Sequence, residues 1–447
     1  MKNLHTFVTI PTMKLPSRIA VPVGFAALCA LGVIVLVWWQ LRTSSELLRP
    51  RTGTGITLSD LEPSITPTAA IDPKDRAVLH LREGDILALR GEWLRAQSEY
   101  QLSVENGGGL PALRKLAQAQ LQRRDIDGVR STIRALRAAG ARSEDLLLLE
   151  SIVALRTGEL VRAREMLEAG SDSPQKHYGL ALLAIVEGHH PQAQQELAQV
   201  VGGWEPVLRA YGRSLQAAYD EFSLFPQSTD LHLTTLLSRA LAQVHECELA
   251  LPLLSTVTRT QDDYRDAWIV QGYCELTTER ADAAVASLEH AYNLDPSKPE
   301  TQYFLARAYS ARGENQNAIT FLEYSLQNGF EPQAEIHRAI AQEAVRGGSS
   351  DVALEHFGAL LSGSDVTADD MRSYIEVALA LQKNEDALSV AQTAVERFPN
   401  SAALHATLGS ALAANAKTDE ARTSYQKALE LDPLLEGVKE KMEALGK

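Results

Sequence analysis

Residues 402–433 read AALHATLGSALAANAKTDEARTSYQKALELDP, and residues 265–296 read RDAWIVQGYCELTTERADAAVASLEHAYNLDP. Each stretch is two helix-length runs around a short polar break, with apolar residues at three- and four-residue spacing and a closing proline. Working outward from the alanine of the second run, the same plan recurs at Ala96, Val129, Ala163, Ala193, Ala250, Ala284, Ala318, Ala353, Ala387 and Ala421. The steps are 33, 34, 30, 57, 34, 34, 35, 34 and 34 residues. Four residues after each of these comes Tyr100, Ile133, Leu167, Leu197, Leu254, Leu288, Leu322, Phe357, Ala391 and Tyr425. A small residue lets two helices approach closely, and the side chain one turn later fills the space behind them. Proline suits the break between units because it lacks an N–H and fixes φ. The spacing therefore predicts ten helical hairpins, each stable only when stacked on its neighbours.

The last unit also carries His405-x-x-Leu408-Gly409-x-x-Leu412, Ala421-x-x-x-Tyr425 and Glu430-Leu431-Asp432-Pro433. The earlier one carries Trp268-x-x-Gln271-Gly272, Ala284-x-x-x-Leu288 and Asn293-Leu294-Asp295-Pro296. Both resemble the tetratricopeptide repeat, W-x₂-L-G-x₂-Y, A-x₃-F and P over about 34 residues. The resemblance is clear over residues 231–435 and degenerate over 76–201. It implies an all-α, right-handed superhelical solenoid of hairpins with a concave groove, lined by the first helix of each hairpin, that takes peptides or partner helices. Mapped onto this chain, the groove residues are Arg239, Tyr273, Tyr303, Arg307, Arg338, Gln342, Arg372 and Glu376. Recurrent arginine in an acidic protein points to an acidic or carboxylate-bearing segment of another protein. Pairing of those arginines with acids on adjacent helices is the competing reading. The asparagines with which chaperone-binding relatives clamp a C-terminal carboxylate are missing, so that activity is not carried over.

Two stretches break or close the array. Residues 202–230 occupy the 57-residue step and hold Trp204, Tyr211, Tyr219, Phe222 and Phe225. They serve either as an exposed surface for a partner or as packing at the joint between two half-solenoids. Residues 436–447 form the end of a capping helix, on which Leu435, Val438, Met442 and Leu445 make one apolar stripe.

The N-terminus reads differently. A basic tail, residues 1–18, precedes IAVPVGFAALCALGVIVLVWW, residues 19–39, which has no charge. As a helix it would span about 31 Å, the thickness of a bilayer core. Arg18 and Arg42 bracket it, and Trp38 and Trp39 stand where an interfacial aromatic belt would. The stretch is too long for a signal-peptide core and lacks a small-residue cleavage site, and Leu28 before Cys29 spoils a lipoprotein site. A single-pass transmembrane anchor over residues 19–41 is expected, with the soluble part extracytoplasmic because a short basic tail stays in the cytoplasm. Residues 42–75, rich in Ser, Thr and Pro, read as a linker.

Composition narrows the function. The net charge is −14, yet residues 1–51 hold six bases and one acid, so the remainder is more acidic still and unsuited to nucleic acid. Three cysteines, Cys29, Cys247 and Cys274, exclude a thiolate zinc site and leave one candidate structural disulfide, Cys247–Cys274. No nucleotide-binding, hydrolase or metalloprotease motif occurs, and His189-His190 reads as a solvated turn. No catalytic residue, metal, cofactor or small-molecule substrate is expected. Two function classes remain: a membrane-anchored scaffold that assembles an envelope complex, and a regulatory or carrier subunit of an envelope enzyme such as a polysaccharide-export or cell-wall machine.

Overall fold

The computed structural model describes residues 72–445, apart from Ser364 and Leu434. The expected anchor over residues 19–41 and the linker up to residue 71 lie outside the described residues, and no described helix is long and apolar enough to cross a membrane. Every regular element among the described residues is an α-helix.

Four hairpins form the front half. They are α1 (Pro73–Leu89) with α2 (Trp93–Glu105), and α3 (Gly109–Gln122) with α4 (Ile126–Ala138). Next come α5 (Ser143–Arg156) with α6 (Leu160–Ala169), and α7 (Pro174–Val186) with α8 (His190–Gly202). A lone helix, α9 (Pro206–Ser223), follows without a hairpin partner. Six hairpins form the rear half, beginning with α10 (Asp230–Gln243) and α11 (Cys247–Thr260), then α12 (Arg265–Thr277) and α13 (Ala281–Leu294). They continue as α14 (Pro299–Ala311) with α15 (Asn315–Gln327), and α16 (Gln333–Arg346) with α17 (Ser350–Leu361). The last are α18 (Ala368–Ala380) with α19 (Asn384–Arg397), and α20 (Ala402–Ala414) with α21 (Thr418–Leu431). A short α22 (Val438–Ala444) caps the end, with Leu435, Met442 and Leu445 against the Tyr425 cluster.

The small-residue ladder is the packing seam. All ten of its positions, from Ala96 to Ala421, are completely buried. The larger residue four positions on is buried in every hairpin as well. In three hairpins that side chain lies on a glycine of the first helix: Tyr100 on Gly84, Leu288 on Gly272 and Tyr425 on Gly409. A Cβ at Gly272 would stand 2.4 Å from Leu288 Cγ, so the glycine is required by close approach.

A second ladder lies in the turns. One residue between the two helices of each hairpin has positive φ: Gly91, Arg124, Gly158, Gly188, His245, Glu279, Gly313, Gly348, Gln382 and Ala416. Its steps repeat those of the alanine ladder. This left-handed residue lets the turn take up the last carbonyls of the first helix, as in Lys383 N to Ala378 O at 2.8 Å. Five of the ten turns carry a non-glycine residue there.

The lone α9 makes the joint. Tyr211 lies between Tyr178 and His245, with ring centroids 6.1 and 6.4 Å away. Tyr219 meets His190, and Phe222 packs near His232. Trp204 and Phe225 stay exposed, at 75% and 53%. Three of the five aromatics therefore pack the joint and two face outward. His190, expected in a solvated turn, is instead half-buried with Nδ1 3.1 Å from the Tyr219 hydroxyl, because α9 folds over it.

Beyond this joint, α11 comes back against α5 and α7. Arg156 at the end of α5 is the contact that matters. Its fork donates to Glu246 Oε2 at 2.8 Å and Oε1 at 3.1 Å, and also to the carbonyls of Leu121 and His245. Both side chains are over nine-tenths buried. Burial works against the Arg156 charge, but Glu246 and Glu248 outweigh it and hold the guanidinium charged above its usual value. Beside it, Arg124 Nε is 2.9 Å from Glu248 Oε1 but not aligned to donate to it.

Two outcomes follow from these contacts. Gln382→Gly, at an exposed left-handed position, should stabilise the array by about 0.5–1 kcal/mol, and Gly313→Ala should destabilise it by a similar amount. Arg156→Ala strands a buried Glu246 and should cost about 3–5 kcal/mol, whereas Arg124→Gly, which also relieves its turn, should cost less than about 1 kcal/mol. Urea unfolding of a fragment beginning at residue 72 checks both.

Candidate partner-binding groove

The first helices α14 and α16 stand side by side in the rear half and enclose a hollow of about 340 Å³. Tyr303, Arg307 and Ser310 line it from α14, and Glu335, Arg338, Gln342, Glu343 and Arg346 from α16. Four of the α16 set make one stripe, because residues 335, 338, 342 and 346 fall at three- and four-residue spacing, with Glu343 beside it.

Tyr303 is the fixed wall. Its ring stacks on Phe330 with centroids 4.6 Å apart, and its hydroxyl donates to Glu335. Burial, reinforced by that carboxylate, pushes the phenol up to about 12. The Arg307 guanidinium sits 5.8 Å above the ring, is exposed, and makes no ion pair among the described residues.

Arg338 has a different fate. Its Nε and one Nη donate to Asp370 at 2.7 and 2.8 Å. Asp370 is 3% exposed and also closes a capping box with Thr367 at the start of α18. Burial works to raise the Asp370 carboxyl, but the bonds from Arg338 and Thr367 prevail and hold it below the usual range. Arg338 thus ties one repeat to the next.

The remaining expected groove residues are dispersed. Arg239 pairs with Glu221 of α9 in a separate hollow of about 210 Å³ beside Tyr264. Arg372 bonds Asp369 and Glu376 of its own helix, at 3.0 and 3.2 Å. Tyr273 packs edge-on against Phe304, 5.3 Å between centroids. Only Tyr303, Arg307, Arg338 and Gln342 share one hollow. Glu335, Glu343 and Arg346 were not singled out in the sequence; extending the Arg338–Gln342 spacing one turn each way reaches Glu335 and Arg346. Glu343 faces inward, accepting from Ser310 Oγ at 2.6 Å and pairing with Arg346. Among the described residues, no group of three or more His, Cys, Asp or Glu side chains converges as a metal site. Cys247 and Cys274 are both free and buried.

With that geometry in hand, the sequence profile described as "Tetratricopeptide repeat" matches residues 235–299 and 375–435. These segments are tetratricopeptide repeats. No curated protein matches the chain. Among solved structures it is similar to YrrB, described as a TPR protein with an unusual peptide-binding site, at 15% identity and TM-score 0.39 over 42% of this chain and 97% of that one. It is similar to MamA at 18% identity and TM-score 0.36, over 39% and 94% of the two chains. Yeast Tom70 is similar at 12% identity and TM-score 0.30, over 83% and 95%. Tetratricopeptide repeats are typical of protein-interaction scaffolds, and the hollow, on α14 and α16, lies between the two matched segments.

The two arginines of the hollow should separate by stability. Arg338→Ala leaves Asp370 buried without its fork and should cost about 2–3 kcal/mol. Arg307→Ala gives up a half-open contact with Tyr303 and should cost less than about 1 kcal/mol. Denaturant titration of both variants reads the difference.

Proposed function

We propose that this chain is a membrane-anchored scaffold that gathers an envelope complex by holding a carboxylate-bearing segment of another protein in the hollow between α14 and α16. The observation that carries this reading is Arg307. It is a cation in a walled hollow, stacked over a tyrosine, without an acid of its own. A planar guanidinium matches a carboxylate with two donors, and the Tyr303 ring supplies rigid contact area at little entropic cost. The uncharged run from Ile19 to Trp39 supports the anchor, and the basic tail before it supports an extracytoplasmic location for the repeats.

Two experiments test the parts separately. The full chain should stay with the membrane fraction through high-salt and alkaline washes, and a chain lacking residues 1–42 should be soluble and folded. A mature chain beginning after residue 39 would remove the anchor from the proposal. For the hollow, the full chain in detergent is compared with Arg307→Glu by affinity capture. A partner held by the first should be weakened more than about tenfold by the second, roughly 1.4 kcal/mol, with helical content unchanged. If both chains hold the same partners equally, the Arg307 hollow is not the docking site.

A further inference from the structure

A separate hollow, of about 270 Å³, lies in the front half where α4 meets α5 and α6. Its charge is one-sided. Arg130, Arg134 and Arg137 line it from α4 and Arg162 from α6, against a single carboxylate, Glu150 of α5. The sequence of α4 explains the stripe. Val129, Thr132, Ile133 and Leu136 are buried in the array, which leaves residues 130, 134 and 137, at four- and three-residue spacing, together on an outer face. Like charges one turn apart on a helix repel, so this stripe is disfavoured as it stands.

The nearby acids do not use up these arginines. Arg137 gives one hydrogen bond to Glu150, at 2.5 Å. Arg130 and Arg162 share the two oxygens of Glu159, at 3.0 and 2.7 Å, and the Thr157 hydroxyl donates to the same carboxylate. Those bonds, the one from Arg162 foremost, hold the Glu159 carboxyl below its usual value. Asp127 comes only within 3.9 Å of Arg130 and is almost fully exposed. Arg134, between Arg130 and Arg137, is exposed and makes no ion pair or hydrogen bond among the described residues. The other three forks therefore keep unused N–H donors, and Arg134 keeps all of its own.

We propose that this hollow binds a phosphate-bearing anion, held by Arg134 with further donors from Arg130 and Arg137 of α4 and from Arg162 of α6. A carboxylate has two oxygens in one plane and is matched by one planar fork, as Asp370 is by Arg338. A phosphate carries its oxygens tetrahedrally and accepts from forks on two helices at once. Its charge also removes the repulsion along α4. The volume is at the small end of ligand pockets, which suits one or two linked phosphate groups. The acidity of the chain as a whole repels such an anion elsewhere, so binding is confined to this basic hollow.

This inference is independent of the α14–α16 hollow, with which it shares no residue. Its test titrates the full chain, in a detergent without phosphate, with pyrophosphate, glycerol 3-phosphate and glutarate by calorimetry. Pyrophosphate should bind one to one. Arg134→Ala should weaken it more than about tenfold, and Arg422→Ala, at an exposed position of α21, should leave it unchanged, both with the helical content of the parent chain. Tighter binding of pyrophosphate than of glycerol 3-phosphate assigns the site to a free oligophosphate, and the reverse order assigns it to a phosphate monoester such as a lipid headgroup. Glutarate held as tightly as either phosphate would overturn the phosphate assignment. No saturable binding of either phosphate, or binding that Arg134→Ala weakens no more than Arg422→Ala does, would overturn the site itself.

Discussion

Close approach of two helices at one small residue is the constraint on which the structure depends. A hairpin of two thirteen-residue helices has too little interior to be stable alone, so each must bury a face against the next. The seam narrows to the Ala or Val of the second helix, and the side chain one turn later is then forced over the first. Where that side chain is Tyr100, Leu288 or Tyr425, the first helix has a glycine to receive it. Where it is Ala391, no such gap has to be opened. The left-handed turn residue follows from the same geometry. Once the seam fixes how the two helices meet, the chain between them has only one tight way to turn, whichever residue stands there.

The 57-residue step shows what happens when the repetition fails. A single helix, α9, cannot complete a hairpin, and the rear half therefore does not simply continue the front. A second helix, α11, meets the first helices α5 and α7, so apolar seam packing gives way to charge. Arg156 is suited to that place because its planar fork spends its donors on one carboxylate and two carbonyls. A buried ion pair of this kind is weak evidence for added stability but strong evidence for a fixed arrangement, since breaking one side strands the other. Arg124 and Glu248 are less well satisfied, and the burden of the contact falls on Arg156.

The array was legible in the sequence because its cause is periodic. Ladder positions are set by local spacing and reappear as completely buried residues, and the capping stripe of Leu435, Val438 and Met442 is local in the same way. The Arg156–Glu246 contact was not legible. Its partners lie 90 residues apart, and an arginine at a helix end looks like any solvated arginine. Of the aromatics in residues 202–230, spacing could not say which face would be covered, because that depends on where α11 returns.

The groove residues show the same limit at the level of chemistry. Side chains at equivalent positions of successive first helices share a face, but what they do depends on the nearest acid. Arg239, Arg338 and Arg372 each have a carboxylate within reach, on α9, on α18 and on their own helix respectively, and their charge is spent inside the array. In a protein this acidic that is the common outcome. Arg307 makes no such pair, and the two acids that share its hollow are engaged elsewhere, Glu335 by Tyr303 and Glu343 by Ser310 and Arg346. The ring that takes Glu335 also lies beneath Arg307, so one tyrosine both removes the competing anion and supports the cation. An arginine left charged and supported in this way costs little to desolvate when a carboxylate arrives, because a π-face already replaces part of its water. The recognition chemistry of the hollow is therefore concentrated in the pair Tyr303 and Arg307, not in the number of arginines along the groove.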